Sequence, residues 1–309
     1  MLVAVWPGMG QVALTAGYYL MSKLHMHETD PLPAQDLFDV DEVDIQEGLV
    51  RTARLPKTRV FRRKDPATRR EIVVLIGEAQ PPAGKLAFCG RLLDYAERLG
   101  IREVYTFAAM ADEVSLRSPA RVFGVATHSE GRDKLRGAGV PILTSGRIAG
   151  LNGVLLGVAG QRGFQGLGLL GEMPALVTPV PFAKASAAVL EAFQRLSGIQ
   201  FELQELEEYG RSVENQLAEV IDDLQKRVRR QIESSQEESD PTEPDAKETP
   251  AGPTEEDRRR LEGLFAQAAR ERSKTFELKR ELDRLGVFAD YEDRFLDLFR
   301  TPPDHEPGS

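Results

Sequence analysis

The chain of 309 residues, 41% hydrophobic and 29% charged, has the composition of a soluble protein without collagen-like or disulfide-rich bias. Its single cysteine, Cys89, forbids an intrachain disulfide and favours a reducing compartment. The net charge of −9 is uneven: roughly a dozen excess negative charges follow residue 200 and the part before is slightly basic, a poor balance for nucleic-acid binding. The start already reads as a strand rather than a signal peptide. The most apolar stretch, Ile148 to Leu170, is broken by Asn152, Gln161, Arg162 and glycines, so no membrane span is expected. The expected location is cytoplasmic.

Leu2 to Val5 reads as a buried parallel strand, broken by Pro7, Gly8 and Gly10 before helical spacing from Gln11 to Leu24. Lys23 to Thr29 is a candidate second strand. Asp36 to Val50 mixes acids with apolar residues in partly strand-like alternation. Val50 to Lys64 suggests a strand or hairpin with turn residues at Asp65-Pro66. The basic run Arg59 to Lys64, with Arg69 and Arg70, reads as a solvated hairpin edge. Glu71 to Gly77 is the clearest buried strand. Gly84 to Leu99 forms a helix with Leu86, Phe88, Leu92, Leu93 and Ala96 on one face and Gly100 as C-cap. Strands follow at Glu103 to Ala108, Arg121 to Ala126 and Val140 to Thr144. Then come a helix from about Leu151, a strand near Phe164 to Leu170 and an alanine-rich helix from Ala183 to Leu196. This alternation predicts an α/β domain with a mainly parallel sheet over residues 1–200.

Beyond it, residues 201–233 read as a long charged helix with Leu206, Val213, Leu217, Val220 and Leu224 in coiled-coil spacing. Residues 234–256 have the composition of a disordered acidic linker. Residues 257–300 are helical again, with Phe288 to Phe299 as a short amphipathic helix. Residues 301–309 form a frayed tail. The two long helical stretches either return as a hairpin or pair with another copy.

Strand, glycine loop and helix start together leave backbone N–H groups aimed at one spot. Gly8-Met9-Gly10-Gln11 fits a loose dinucleotide fingerprint, with Glu28 where a ribose-binding acid would stand. Pro7, the bulky Met9 and the acidic segment after Glu28 fit it poorly. No phosphate-binding P-loop appears. His25 and His27 share a strand face but are too few for a metal site. His128, Ser129 and Glu130 fall on a loop without nucleophile–base pairing, and Cys89 reads as a buried inert thiol. No catalytic constellation, metal site or cofactor is expected. The polar residues Glu78, Gln80, Asn152 and Glu172 fall near carboxyl ends of strands, where open α/β sheets place ligands. They serve either as a pocket or as caps and loop ties.

The ordered set Pro7-Gly8-Met9-Gly10-Gln11-Val12, Gly77-Glu78-Ala79-Gln80-Pro81, Gly150-Leu151-Asn152-Gly153 and Gly171-Glu172 resembles the proteasome-assembly-chaperone (PAC-two) family. Pro181 and the helix Ala183 to Leu196 extend the resemblance over about residues 1–200. It implies a three-layer α/β/α sandwich of phosphorylase-like shape, self-association as homo-oligomers, trimers among them, and a non-enzymatic assembly role. It places a ligand-binding wall at Gly8, Met9, Gly10, Gln11, Glu78, Gln80, Asn152, Gly153 and Glu172. An unidentified protein partner is expected at the helical C-terminal extension. Two departures stand out. Ala13 replaces a frequent glycine, and the chain ends Glu306 to Ser309 rather than in a hydrophobic–Tyr–any tail, which argues against direct proteasome docking. Some relatives carry ligase labels, so the alternative is a nucleotide- or small-molecule-binding protein or enzyme with its pocket at the first glycine loop.

Overall fold

A computed structural model describes residues 1–29, 31–39, 43–52, 54–64, 70–235 and 254–299, without the side chains of residues 44, 46, 224, 225 and 227–235. In chain order the elements are β1 (Leu2–Val5), α1 (Val12–Lys23), β2 (His27–Thr29), β3 (Val43–Gln46), β4 (Leu49–Thr52), β5 (Thr58–Lys64) and β6 (Glu71–Gly77). They continue with α2 (Lys85–Arg98), β7 (Glu103–Asp112), β8 (Val122–Ala126), α3 (Ser129–Gly137), α4 (Gly150–Gln161), β9 (Gln165–Pro174) and α5 (Ala183–Ser197). The C-terminal helices are α6 (Gln204–Ser235), α7 (Glu255–Arg270), α8 (Thr275–Arg284) and α9 (Phe288–Asp297).

Seven strands form one sheet in the order β2-β5-β6-β1-β7-β9-β8. Its centre, β6-β1-β7-β9, is parallel. Both flanks are antiparallel; at β5-β6 the link is too short for the crossover a parallel pair needs. Along β1 the side chains alternate between two apolar layers, as a strand covered on both faces requires. Leu2, Ala4 and Trp6 pack with Phe88 and Leu92 of α2 and Leu151 and Leu155 of α4. Val3 and Val5 pack with Tyr18 and Tyr19 of α1 and Phe193 of α5. The architecture is therefore the expected three-layer α/β/α sandwich with C-terminal helices.

Several local expectations change. Only His27–Thr29 of the second strand forms, because His25 turns through a left-handed φ of 46° after α1 ends. The acidic-apolar segment folds as the separate hairpin β3-β4. Val140 to Thr144 is no strand and contributes one isolated bridge, Gly124 to Ile142. Ser129 and Glu130 open the helix α3 rather than lying on a loop. Residues 271–274 break the expected single helix into α7 and α8. Asp65, Pro66, Arg69, residues 236–253 of the linker and the tail from residue 300 lie outside the described residues.

The C-terminal helices pack onto the α/β domain rather than forming a free-standing hairpin. α6 runs along α5, and α8 and α9 return to α1. Leu261, Phe265, Phe276, Leu282, Phe295 and Phe299 are buried in the same apolar layer as Val3 and Val5. Among the described residues no helix is long and apolar enough to cross a membrane.

Phe295 sits at the centre of this packing, edge-on to Tyr18 at 5.7 Å and Phe288 at 5.6 Å and tilted against Phe299 at 5.7 Å. Phe295→Ala is expected to cost about 3–5 kcal/mol in urea unfolding. The transition should stay single, since helices and sheet share one layer. A second transition that leaves the sheet unaffected would show the layer to be divided.

Candidate functional site

The parallel strands β6, β1, β7 and β9 all deliver their carboxyl ends to one edge, and the four motif segments meet there. The first glycine loop is tied down by its own backbone. The Gly10 N–H donates to Thr178 O at 2.8 Å, the Gln11 N–H to Gly8 O at 3.0 Å, and Gly10 O accepts from the Phe182 N–H at 2.8 Å. Gly10 takes a φ of 57°, and a Cβ there would stand 2.6 Å from Met173 Cε. Glycine suits the position by its left-handed conformation, and Met173 packs into the space a side chain would take. Gln11 holds a left-handed φ of 45°, while Met9 is exposed.

Gln80 joins two of the other segments to this loop. Its Nε2 donates to Pro7 O at 3.2 Å, and its Oε1 accepts the Leu151 N–H at 2.9 Å, capping α4. Gly150 lies against the Gln80 amide. Asn152 follows in the first turn of α4, 7% exposed, its Oδ1 without a hydrogen-bond partner among the described residues. Gly153 is packed against Ile148 O.

Both acids point elsewhere. Glu172, buried in β9, is held by Arg121, with Nε to Oε2 at 2.9 Å and a second bond from Nη2 to Oε1. Glu78 accepts from the Lys57 N–H at 2.8 Å and pairs with Arg59 and Arg54. The structure thus brings Gly8, Met9, Gly10, Gln11, Gln80, Asn152 and Gly153 to one junction and leaves Glu78 and Glu172 in two separate ion pairs. Four concavities among the described residues, each of about 250–350 Å³, are lined by other side chains.

The functional group that sequence reasoning missed is Arg59. The expected solvated edge is overturned at this position, because β5 lies inside the sheet and β2 forms the edge. The Arg59 side chain is 1% exposed. It reaches Glu28 at 2.9 Å, Glu78 at 3.4 Å, and Asp293 of α9. Glu28, the candidate ribose acid, is therefore an ion-pair partner. Arg62 pairs with Glu71, and Arg63 donates to Leu24 O.

Beside this cluster Glu292 accepts a hydrogen bond from the Tyr18 hydroxyl. Burial pushes the Glu292 carboxyl above its ordinary value of 4.5, with Glu78 adding repulsion against the pull of Tyr18, Lys279 and Arg59. Cys89 is buried, and burial pushes its thiol up to about 12. Burial and the neighbouring Arg63 and Arg272 lower both His25 and His27, and Arg272 Nη1 lies 3.2 Å from His27 Nδ1. Among the described residues no group of three or more His, Cys, Asp and Glu is placed to hold a metal ion.

The family described as the PAC2 family matches residues 2–221. The chain is 28% identical over 153 residues to an uncharacterised protein of Methanocaldococcus jannaschii, a stretch covering 48% of this chain and 57% of that relative. Its fold is similar to PbaB of Pyrococcus furiosus, an archaeal proteasome activator, at 27% identity and a TM-score of 0.60, covering 71% of this chain and 92% of that one. It is also similar to a proteasome-assembly chaperone homologue from Mycobacterium tuberculosis, at 20% identity and a TM-score of 0.61, covering 72% and 95%.

Removing the cation strands buried carboxylates, so Arg59→Ala is expected to cost about 3–5 kcal/mol, read by denaturant unfolding. A loss below about 1 kcal/mol would mean the cluster is solvated. For Glu292 the folded state holds its proton more tightly than the unfolded chain does. Stability is therefore lost as pH rises from about 4.5 through the raised value. Glu292→Gln should melt higher than the parent at pH 7, with the gap closing below pH 4.5. A gap independent of pH would contradict this assignment.

Proposed function

The chain belongs to the PAC2 family, and on that footing we propose that it is a chaperone-like scaffold that holds protein partners rather than transforming a small molecule. The observation carrying this reading is the internal use of the polar groups at the sheet's carboxyl end. The Gly10 and Gln11 N–H groups, Gln80, Glu78 and Glu172 all spend their hydrogen bonds on other parts of the fold. The likeness to an archaeal proteasome activator supports the same class. Residues 1–200 serve as the platform, 201–233 as the partner-facing helix, and 257–300 as the segment that returns to the platform, in a cytoplasmic homo-oligomer such as a trimer.

The surface offered to a partner is the outer part of α6. Its seam leaves the core gradually: Leu206 and Val213 are buried, Leu217 and Ile221 half-buried, and Val220 exposed. Deleting everything after residue 200 would strip the apolar layer around α1, so substitutions in the full chain are the fair test. A photo-crosslinking residue at position 220 is expected to capture a partner protein in extracts of the encoding organism. The same residue at Arg211, an exposed position off the seam, should not. A position 220 that captures no other protein would defeat the reading.

One observation favours a second reading. The buried Asn152 Oδ1 has no described partner, and such atoms are exceptions that call for an explanation. A small ligand at the start of α4 would supply one. Bound ligand raises stability by mass action, so a melting shift of several degrees with a nucleotide or nucleoside, lost in Asn152→Ala, would support it. No shift would dismiss it.

A further inference from the structure

An arginine that loses water on folding is ordinarily matched by a carboxylate. Among the described side chains six arginines are buried or half-buried: Arg59, Arg62, Arg63, Arg91, Arg162 and Arg272. Four of them meet an acid, Arg59 at Glu28, Arg62 at Glu71, Arg91 at Asp36 and Arg162 at Glu97. Arg63 and Arg272 meet none among the described residues. Burial lowers the Arg272 guanidinium from its ordinary value of 12.5, and no acid offsets that pull.

The two arginines stand together. β2 is antiparallel to β5, which is antiparallel to β6, so β2 begins and β5 ends at the amino edge of the sheet. This is the edge opposite the motif junction. Arg63, near the end of β5, donates to Leu24 O, and Arg272 Nη1 donates to Met26 O at 2.9 Å. These carbonyls stand before and after His25, whose left-handed φ of 46° turns the chain from α1 into β2. Carbonyls two residues apart lie within about 7 Å, so both guanidiniums flank one turn. Arg272 Nη1 also lies 3.2 Å from His27 Nδ1. Arginine only donates, so Nδ1 accepts and the neutral ring carries its proton on Nε2. Burial first, and then both arginines, hold His25 and His27 below their ordinary value of 6.5.

Neighbouring charges are matched among themselves. Lys23 pairs with Glu205 at 2.8 Å, Lys274 with Glu277 at 3.1 Å, and Arg62 with Glu71. Glu271, next to Arg272 in the chain, accepts from Ser273 at 2.5 Å and faces Lys274. Lys64, exposed at the end of β5, adds a further cation without an acid among the described residues.

We propose that this cluster is an oxyanion site that takes a phosphate group between Arg63, Arg272 and His27 Nε2. A guanidinium offers five donors in a fork that fits phosphate oxygens. The bonds already made engage only Nη1 of each arginine, leaving Nε and Nη2. Two guanidinium charges match the roughly −1.5 to −2 of a phosphate ester at neutral pH. Donors from β5, β2 and the turn at residues 272–274 suit a tetrahedral group better than a flat carboxylate, which one fork saturates. Arg272 lies beyond the family match, which ends at residue 221. The site is thus made where the C-terminal segment meets the α/β domain, and it stands independently of the scaffold reading.

NMR of the histidine rings in the full chain tests the site. The chain has four histidines, so single substitutions assign the Cε1–H signals. Inorganic phosphate, titrated against chloride at equal ionic strength, is expected to shift His25 and His27 saturably with a Kd of about 1 mM or tighter. It should raise the pKa of both, since a nearby anion favours the charged ring, and leave His128 unmoved. Arg63→Gln with Arg272→Gln keeps a donor at each position without the charge and should weaken binding at least about tenfold. His27→Ala changes an exposed ring, so it should weaken binding with melting unchanged, a control should the double variant fail to fold. Glycerol phosphate, run in parallel, separates the sources. Saturation by the free ion alone assigns inorganic phosphate, and saturation by the ester assigns a phosphate carried on a larger molecule. Silence of His25 and His27 to both, an equal shift at His128, or unchanged binding in a folded variant overturns the site.

Discussion

Helix α1 has no polar face, and much of the molecule is arranged around that constraint. Every residue from Val12 to Ser22 is buried, and a helix apolar all round must be covered all round. The sheet and α5 supply two walls, and α8 and α9 supply the third. The hydroxyls of Tyr18 and Ser22 find their partners on this third side, Tyr19 reaches the chain just ahead of α6, and the Thr15 hydroxyl has no partner among the described residues. Tyr18 donates to Glu292, Tyr19 to Glu202 O at 2.8 Å, and Ser22 Oγ meets Thr275 Oγ1 at 2.5 Å. The family match ends at residue 221, so Thr275 and Glu292 lie beyond it. In this chain the core is completed by a segment outside the matched region.

The charges of this third wall lock what apolar contact alone would leave free to slide. A buried guanidinium is tolerable only with close carboxylates, and those of Arg59 come from β2, from the end of β6 and from α9. The position of α9 over the β2-β5 flank is thereby specified by charge as well as by the rings of Phe295 and Phe299. The backbone joins in where the edge is most vulnerable: the Glu28 N–H donates to Phe299 O at 2.9 Å. An edge strand needs either charge or cover, and β2 receives cover.

How much of this could be read from the residues differs by element for physical reasons. β1, β6, α2 and α5 carry dense apolar patterns, and the structure places them where the patterns do. In α3 only Gly131 and Leu135 are buried, too thin a stripe to register as a period. β5 misleads in the opposite way, since Arg59 to Lys64 has the composition of a solvated edge. Its partners Glu78, Glu28 and Asp293 lie 19, 31 and 234 positions away, so nothing local announces a buried cation. One signal was present in the first helix, where no charged residue falls between Gln11 and Ser22. At the candidate site the motif segments were legible as an ordered set. The role of Gln80 was not, because a side-chain amide chooses its partners only in three dimensions.

The first glycine loop shows how one composition serves two chemistries. A phosphate cradle needs backbone N–H groups left open at a helix start and, for a dinucleotide, an acid free to reach a ribose. Here Gly10 and Gln11 donate to Thr178 O and Gly8 O, and Glu28 is bound to Arg59. The glycine at position 10 answers instead to a left-handed turn and to Met173 pressed against it. Pulling the loop onto the turn after β9 leaves Met9 and Leu176 facing outward. Closing the carboxyl edge from within and making it apolar from without are therefore the same event. In the proposed scaffold, that event turns the usual ligand edge of an α/β sheet into a surface for another chain.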